Sequence, residues 1–362
     1  MKKISSKKII LVILIVLIVA AIFFVQSNKK QNIDNLFTKE VRLNDVSKRS
    51  QEKSLMYEKA KELVDIAGYI NTDNITVQEN IGKNVILIDF WTYSCINCQR
   101  TLPYLNSWYQ KYKDNGLVII GVHTPEFEFE KDYNNVKRAT QKYNVEYPVV
   151  QDNNYQTWRS YKNRYWPRKY LIDIDGFIVY DHIGEGAYKE TEEKIQELLK
   201  ERSQVLALNS QIDKDISKPD IQETDFSKIG TPEIYFGYGF SRDQMGSPQG
   251  WIPEQVVTYT TPSTIENNKF YLTGDWLNKN DNMELVSDKG TITIKYFAKN
   301  VNLVAGSKIK TQISIKLDGK PYNTLEISEF DLYNIVSEKD YLEHALEIEA
   351  QKGLMTYTFT FG

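Results

Sequence analysis

The stretch Val85-Ile86-Leu87-Ile88-Asp89-Phe90-Trp91 is apolar or aromatic throughout except for one aspartate, and it runs almost directly into the chain's two cysteines, Cys95 and Cys98. A short apolar run bounded by turn residues, here Gly82-Lys83-Asn84 in front, suits a parallel strand buried on both faces. Residues 95–115 then carry a helical pattern that stops at Gly116, with Pro103 expected to kink it. A buried strand feeding a helix that opens on a dithiol restricts the fold to a few α/β architectures.

The neighbouring segments agree with that restriction. Residues 117–122 read as a second buried strand, 134–143 as a helix and 148–150 as a short strand. Residues 170–173 and 177–181 read as strands joined at Asp175-Gly176, and 189–202 as an amphipathic helix. Upstream, Leu55, Met56, Ala60, Leu63, Val64 and Ala67 recur at helical spacing, which predicts a helix over 51–67. Alternating strands and helices make residues 51–202 an α/β domain. Residues 203–230 are polar, with weak patterning, and read as a linker. Beyond them the texture changes: segments rich in Tyr, Phe, Ile, Val and Thr, such as 234–240, 269–272, 291–297, 311–317, 345–349 and 356–361, alternate in period two between turns. This predicts an all-β sandwich over 231–362. A chain of 362 residues is long enough for two such domains.

The dithiol carries the chemistry. Unpaired N–H groups and the dipole at a helix start stabilise an anion, so Cys95 is expected to ionise readily and attack as a thiolate. Cys98, one turn on, can resolve a mixed disulfide. A passive staple would close too short a loop to constrain the unfolded chain, and a metal would lack ligands beyond the scattered His123, His182 and His344. No metal and no cofactor are therefore expected. With 48 acidic against 45 basic residues and a net charge of -3, the chain gives no reason to expect a nucleic-acid partner.

Residues 9–25 are seventeen apolar residues in a row behind Lys2, Lys3, Lys7 and Lys8, enough for a single transmembrane helix. A cleaved signal peptide is the alternative, but bulky Ile22, Phe23 and Phe24 follow Ala20-Ala21. The lysine bias puts the N-terminus inside, with residues 1–25 as anchor, 26–50 as tether and the catalytic domain on the extracytoplasmic side of the cell membrane, where disulfides persist.

Phe90-Trp91 followed by Cys95-x-x-Cys98, with Pro103 in the helix, resembles the thioredoxin superfamily. Within it, FWTYSCINCQRTLPYLNSWYQKYKDNGLVIIGVHTPEFEFE, YKNRYWPRKYLIDIDG and IGEG resemble the extracytoplasmic TlpA/DipZ group, and TPEIYFG and the closing GLMTYTFTFG resemble the DipZ-type C-terminal β domain. The resemblance covers about residues 65–362. It implies a thioredoxin-like domain with a TlpA- or peroxiredoxin-type insertion over 123–165. It also implies three site residues. Asp89 matches the family's buried acid, which would take the Cys98 proton; a structural aspartate at a strand end is the alternative. Pro167 matches the cis-proline that faces the dithiol and sets the preceding backbone for substrate pairing, against an ordinary edge-strand proline. Trp91 and Trp166 flank these positions and suit either an apolar docking surface or core packing. In the insertion, Glu126, Glu128 and Glu130 read as a solvated face, and His123 as a core histidine. DipZ proteins carry a multi-span, CcdA-like electron-transfer domain in the same chain. Here a single anchor stands instead, which implies a separate CcdA-like membrane electron donor.

The resulting expectation is a membrane-anchored thiol–disulfide oxidoreductase acting on extracytoplasmic protein disulfides through Cys95 and Cys98, with the family favouring the reductase direction. Ile96-Asn97 between the cysteines is neither the Gly-Pro of thioredoxin nor the Pro-His of strong oxidants, so the dipeptide leaves the direction open. Two alternatives stand beside it. A thiol peroxidase is suggested by His123-Thr124-Pro125-Glu126; Thr92 fits the peroxiredoxin pattern, but Ile88 occupies the place of its proline. A carbohydrate-binding-module-like β domain could instead hold a cell-wall polysaccharide on Trp251, Trp276, Tyr235 or Tyr259, although a sandwich also needs aromatic core.

Overall fold

The strand β2 (Val85–Trp91) has all seven residues buried and forms the spine of a six-stranded sheet. The computed structural model describes residues 47–221, 224–240 and 242–362, with scattered positions between 17 and 31. Most of the anchor expected over 9–25 and most of the tether over 26–50 lie outside the described residues. Among the described residues, no helix is long and apolar enough to cross a membrane.

The remaining strands of the first sheet are β1 (Gly68–Ile70), β3 (Leu117–His123), β4 (Val149–Gln151), β5 (Arg168–Ile172) and β6 (Ile178–Ile183), in the order β1-β4-β3-β2-β5-β6. β2, β3 and β4 run parallel, whereas β5 pairs antiparallel with both β2 and β6. Because side chains alternate along a strand, β2 feeds two cores. Val85, Leu87 and Trp91 pack with Leu102, Leu105 and Trp108 of the helix Ile96–Tyr112 and with Ile195 and Leu199 of the helix Tyr188–Val205. Ile86, Ile88 and Phe90 pack on the other face with Val77, Trp158 and Tyr161. Asp89 shares parity with Leu87 and Trp91, so it points into the layer that holds the dithiol helix. That helix contains Pro103 and ends in a 3-10 turn, Lys113–Asn115, closed by Gly116 at φ 95°. Only glycine takes up such a left-handed stop without strain.

The helix expected over 51–67 is corrected. Helix ends at residue 54, and residues 60–67 have no regular secondary structure, with Asp65 at φ 55°. Ala60, Leu63 and Ile66 reach the second core from this irregular segment, and Glu62 turns its carboxylate onto the N–H groups of Val77 and Gln78 at 2.8 and 2.9 Å. Of the spaced apolar residues only Ala60 and Leu63 are half-buried, whereas Leu55, Met56, Val64 and Ala67 are exposed, so the spacing marked no helix face. The polar stretch after residue 203 is also docked along part of its length. Ile212 packs on the first core, and Ser217 donates through both its amide and its hydroxyl to the buried Glu192.

The C-terminal residues form a β-rich domain. Its strands are β7 (Ile234–Tyr235), β8 (Val256–Tyr259), β9 (Phe270–Asn278), β10 (Met283–Leu285), β11 (Lys289–Gly306), β12 (Thr311–Leu317), β13 (Lys320–Ile327), β14 (Asp331–Gln351) and β15 (Met355–Phe361). They form one hydrogen-bonded network, ordered β13-β12-β14-β11-β15-β10-β9-β8 with β7 on β15. β11 changes partner along its length, pairing with β9 over 291–294 and with β15 over 301–306, and bulges interrupt its register with β14 near Asn300. Such bulges bend a strand and increase its twist, so one network can wrap a core that includes Phe270, Trp276, Ile294 and Ile348.

Residues Ala60–Gly362 are one compact unit. Phe127 and Phe129 of the insertion meet Tyr235, Phe240, Phe330 and Tyr357 of the β domain in a shared aromatic cluster. Around it, Tyr93 Oη donates to the Phe330 carbonyl at 3.0 Å, and Lys142 pairs with Asp331 at 2.7 Å.

Candidate active site

Cys95 caps the helix Ile96–Tyr112, and its Sγ accepts the Cys98 N–H at 3.3 Å. The sulfur thus takes the side-chain role of an N-cap and satisfies one of the free amides at the helix start. Both cysteines are free thiols, Cys95 half-buried and Cys98 buried at 1% exposure. The two sulfurs are therefore unequal: one opens to the surface and the other lies in the core. Burial foremost, then the proximity of Cys95 and Asp89, pushes the Cys98 thiol well above its ordinary value.

Asp89 lies beneath them, 1% exposed, and neither of its carboxylate oxygens has a hydrogen-bond partner among the described residues. Desolvation pushes its pKa up to about 7, against the opposing pull of Lys169. Lys169 is the residue that pattern reading missed. It sits opposite Asp89 in the β2–β5 pairing and is fully buried, with Nζ donating to the Gly184 carbonyl at 3.2 Å and lying over the Tyr188 ring. Burial lowers its pKa while Asp89, Cys98 and Glu185 raise it. Across the β2–β3 pairing, Asp89 faces Gly121, where a Cβ would come within 3.0 Å of Trp91 Nε1 and 3.2 Å of the Tyr147 ring. The acid thus has a glycine opposite it on one strand and a lysine opposite it on the other. A lysine two residues after Pro167, inside an apolar strand, was the available signal; the strand partner that gives it meaning was not.

The peptide bond between Trp166 and Pro167 is cis. Trp166 is half-buried, donates Nε1–H to the Thr124 carbonyl at 3.0 Å and packs on Trp158. Trp91 is fully buried, edge-on to His123, so it is core and cannot belong to a docking surface. β2 is covered on both faces up to its last residue, which leaves Trp91 no route to solvent.

The solvated face expected of Glu126, Glu128 and Glu130 is also corrected. Only Glu128 is exposed. The 3-10 turn Glu128–Lys131 folds the segment back, so Glu130 is fully buried: its Oε1 accepts the Ser94 hydroxyl at 2.5 Å and its Oε2 the amides of Glu126 and Phe127 at 2.6 and 2.9 Å. Glu130 therefore pins the loop just before Cys95. Glu126 faces the β domain, where Tyr235 Oη donates to its Oε1 at 2.8 Å. His123 is a core residue, stacked on Tyr93 with Nε2 3.3 Å from the Tyr93 amide, and burial pushes it down to about 3. Thr92 is buried with its hydroxyl 3.4 Å from the same Nε2.

A dithiol at the start of the helix after the central strand, with a cis-proline opening the strand beside it, defines a thioredoxin-like domain, here followed by a β-rich one. Residues 60–181 match the AhpC/TSA family, and residues 231–362 match the family described as thioredoxin like C-terminal domain. Protein DipZ of Mycobacterium bovis is 38% identical over 307 residues, covering 84% of this chain and 43% of that protein. Thiol-disulfide oxidoreductase YkuV of Bacillus subtilis is 27% identical over 140 residues, covering 39% of this chain and 93% of YkuV. Thiol-disulfide oxidoreductase ResA of Bacillus cereus is 32% identical over 124 residues, covering 34% and 68% respectively. The chain thus spans less than half the length of the DipZ proteins it matches. It belongs to the TlpA/DipZ-like group of the thioredoxin superfamily.

Proposed function

We propose that this protein is a thiol–disulfide oxidoreductase that reduces protein disulfides through Cys95 and Cys98. The reading is carried by the asymmetry of the two sulfurs: a half-exposed Cys95 with an amide donated to it, above a buried Cys98 next to an acid of raised pKa. Cys95, as thiolate, attacks one sulfur of the target disulfide, forming a mixed disulfide and releasing one target thiol. Asp89 takes the Cys98 proton. The Cys98 thiolate then attacks the Cys95 sulfur, forming the Cys95–Cys98 disulfide and releasing the second target thiol, so two electrons pass to the target. A group that titrates about neutrality suits this proton exchange. Pro167 presents the backbone of residue 166 for pairing with the target strand, and Trp166 with Tyr165 forms the docking surface beside Cys95.

The remainder of the reading is extracytoplasmic. Residues 9–25 anchor the chain in the cell membrane with the N-terminus inside, and a separate CcdA-like membrane protein re-reduces the dithiol. The names of YkuV and ResA support the chemistry. The β domain, proposed as a sandwich of the carbohydrate-binding-module kind, offers little as a sugar platform at the four aromatics considered. Trp276, Tyr259 and Tyr235 are buried, and half-buried Trp251 spends its indole N–H on the Phe236 carbonyl. The test is reduction of insulin by the full chain, with its potential fixed in a glutathione buffer. Turnover lost in Cys95→Ser and a potential near about -270 mV support a reductase; a potential near about -120 mV reverses the direction. Hydrogen peroxide consumption far faster than that of a free thiol would favour the peroxidase instead.

A further inference from the structure

Cys95 opens into a cleft of about 290 Å³ whose two walls come from different domains. Ser94, Cys95, Arg164 and Trp166 form one wall; Tyr235, Arg242 and Thr360 of the β domain form the other. This volume lies at the small end of ligand sites, which run from about 300 to 1,000 Å³, and is of the size of one or two side chains.

Three features of the lining point to a negatively charged occupant. Arg164 and Arg242 are both exposed at the mouth, one from each domain, and neither forms an ion pair among the described residues, unlike Arg100, Arg138 and Arg168. Arg242 is steadied by its guanidinium lying 4.8 Å from the Tyr235 ring centre. Deeper in, Thr360 is 4% exposed, and its hydroxyl has no hydrogen-bond partner among the described residues. A buried hydroxyl of this kind ordinarily finds an acceptor. The acids of the cleft, Glu126 and Glu233, both lie within reach of the Arg242 charge and offset it in part, while Arg164 has no such neighbour among the described residues. Both acids converge on the Tyr235 hydroxyl, at 2.8 and 3.2 Å. Burial and the neighbouring carboxylates push Glu126 up to about 8, so at neutral pH it is mostly protonated.

We propose that this interdomain cleft selects target disulfides whose cysteine is flanked by an acidic residue, with Arg164 from the redox domain and Arg242 and Thr360 from the β domain holding that carboxylate. The inference rests on the oxidoreductase reading and deepens it: the β domain is a wall of the active site and sets substrate preference. It adds no step to the thiol exchange, since the carboxylate is bound and released unchanged.

The test uses the full chain and two disulfide-linked peptides that differ only in carrying Asp or Lys beside the cysteine. At low salt the acidic peptide is expected to give a kcat/KM about tenfold higher, as two charge-assisted contacts allow. Arg242→Glu should bring that ratio to one or invert it, Arg242→Lys should retain most of it, and Thr360→Val should reduce it. A ratio is unaffected by partial loss of folded protein. A wild-type ratio near one, or a ratio unmoved by Arg242→Glu, overturns the inference and leaves the redox reading standing. Reduction of neither peptide, nor of an uncharged aromatic disulfide, overturns the oxidoreductase reading itself.

Discussion

Replacing Lys169 with methionine removes the one cation paired across the strand from Asp89 while keeping similar length and volume. Directly opposite residues on antiparallel strands have Cβ atoms about 5 Å apart, which puts the two charges roughly 7 Å from each other. At an effective dielectric of about 20, that separation is worth roughly 2 kcal/mol, or about 1.5 pH units on the acid. Both groups are fully buried, so solvent screening does not reduce the figure much. Asp89, at about 7 in the native protein, should therefore move to roughly 8.5 in the variant. At pH 7 the ionised fraction would fall from about half to about 3%, and the attack of Cys98 on the mixed disulfide should slow by about 15-fold. Near pH 9.5 the two proteins should converge. The assay is single-turnover release of a target thiol from the Cys95 mixed disulfide across pH, with a carbon-13 titration of the Asp89 carboxyl. A midpoint that stays near 7 or falls would refute the reasoning, because Lys169 would then not be the charge that holds the acid down.

Other outcomes follow from the same geometry. Asp89 is protonated in the folded state and ionised in the unfolded chain between about pH 4 and 7, so the native state binds the extra proton and stability falls as pH rises through that window, by roughly 4 kcal/mol in all. Asp89→Asn should remove that slope, and urea unfolding at pH 5 and 8 measures it; equal slopes in the two proteins would contradict the burial argument. Cys98→Ser should accumulate a mixed disulfide on Cys95 with a target protein, visible as a mass increase lost on reduction, whereas Cys95→Ser should form none. Phe127→Ala removes a buried ring that meets Tyr357 and Phe240 across the domain seam, and should cost about 3 kcal/mol in urea unfolding. The exposed Glu128→Gln should stay within about 0.5 kcal/mol, and a similar loss in both would count against the seam as a packed interface.

The central architecture was legible because β2 and the dithiol helix are governed by local signals. A doubly buried strand, a helix start and a glycine stop are each visible within a few residues. The same local reading failed where tertiary pairing decides. Residues 60–67 carry helical spacing but form no helix, and Glu62 instead accepts the amides at the start of the helix Val77–Asn80. Glu126 and Glu130 look like a charged face, yet one secures the Ser94 loop and the other enters the domain seam. Lys169 acquires its importance from a strand register that no window of sequence contains. The cleft at Cys95 is the extreme case, because five of its twelve lining residues lie more than a hundred residues downstream of the cysteine.

The difference between the two sulfurs is most directly tested by alkylation of the reduced native protein with iodoacetamide at neutral pH, each cysteine followed by peptide mass. Cys95 should be modified at least tenfold faster than Cys98, with the gap closing in denaturant. Equal rates in the native protein, or Cys98 reacting first, would contradict the mechanism.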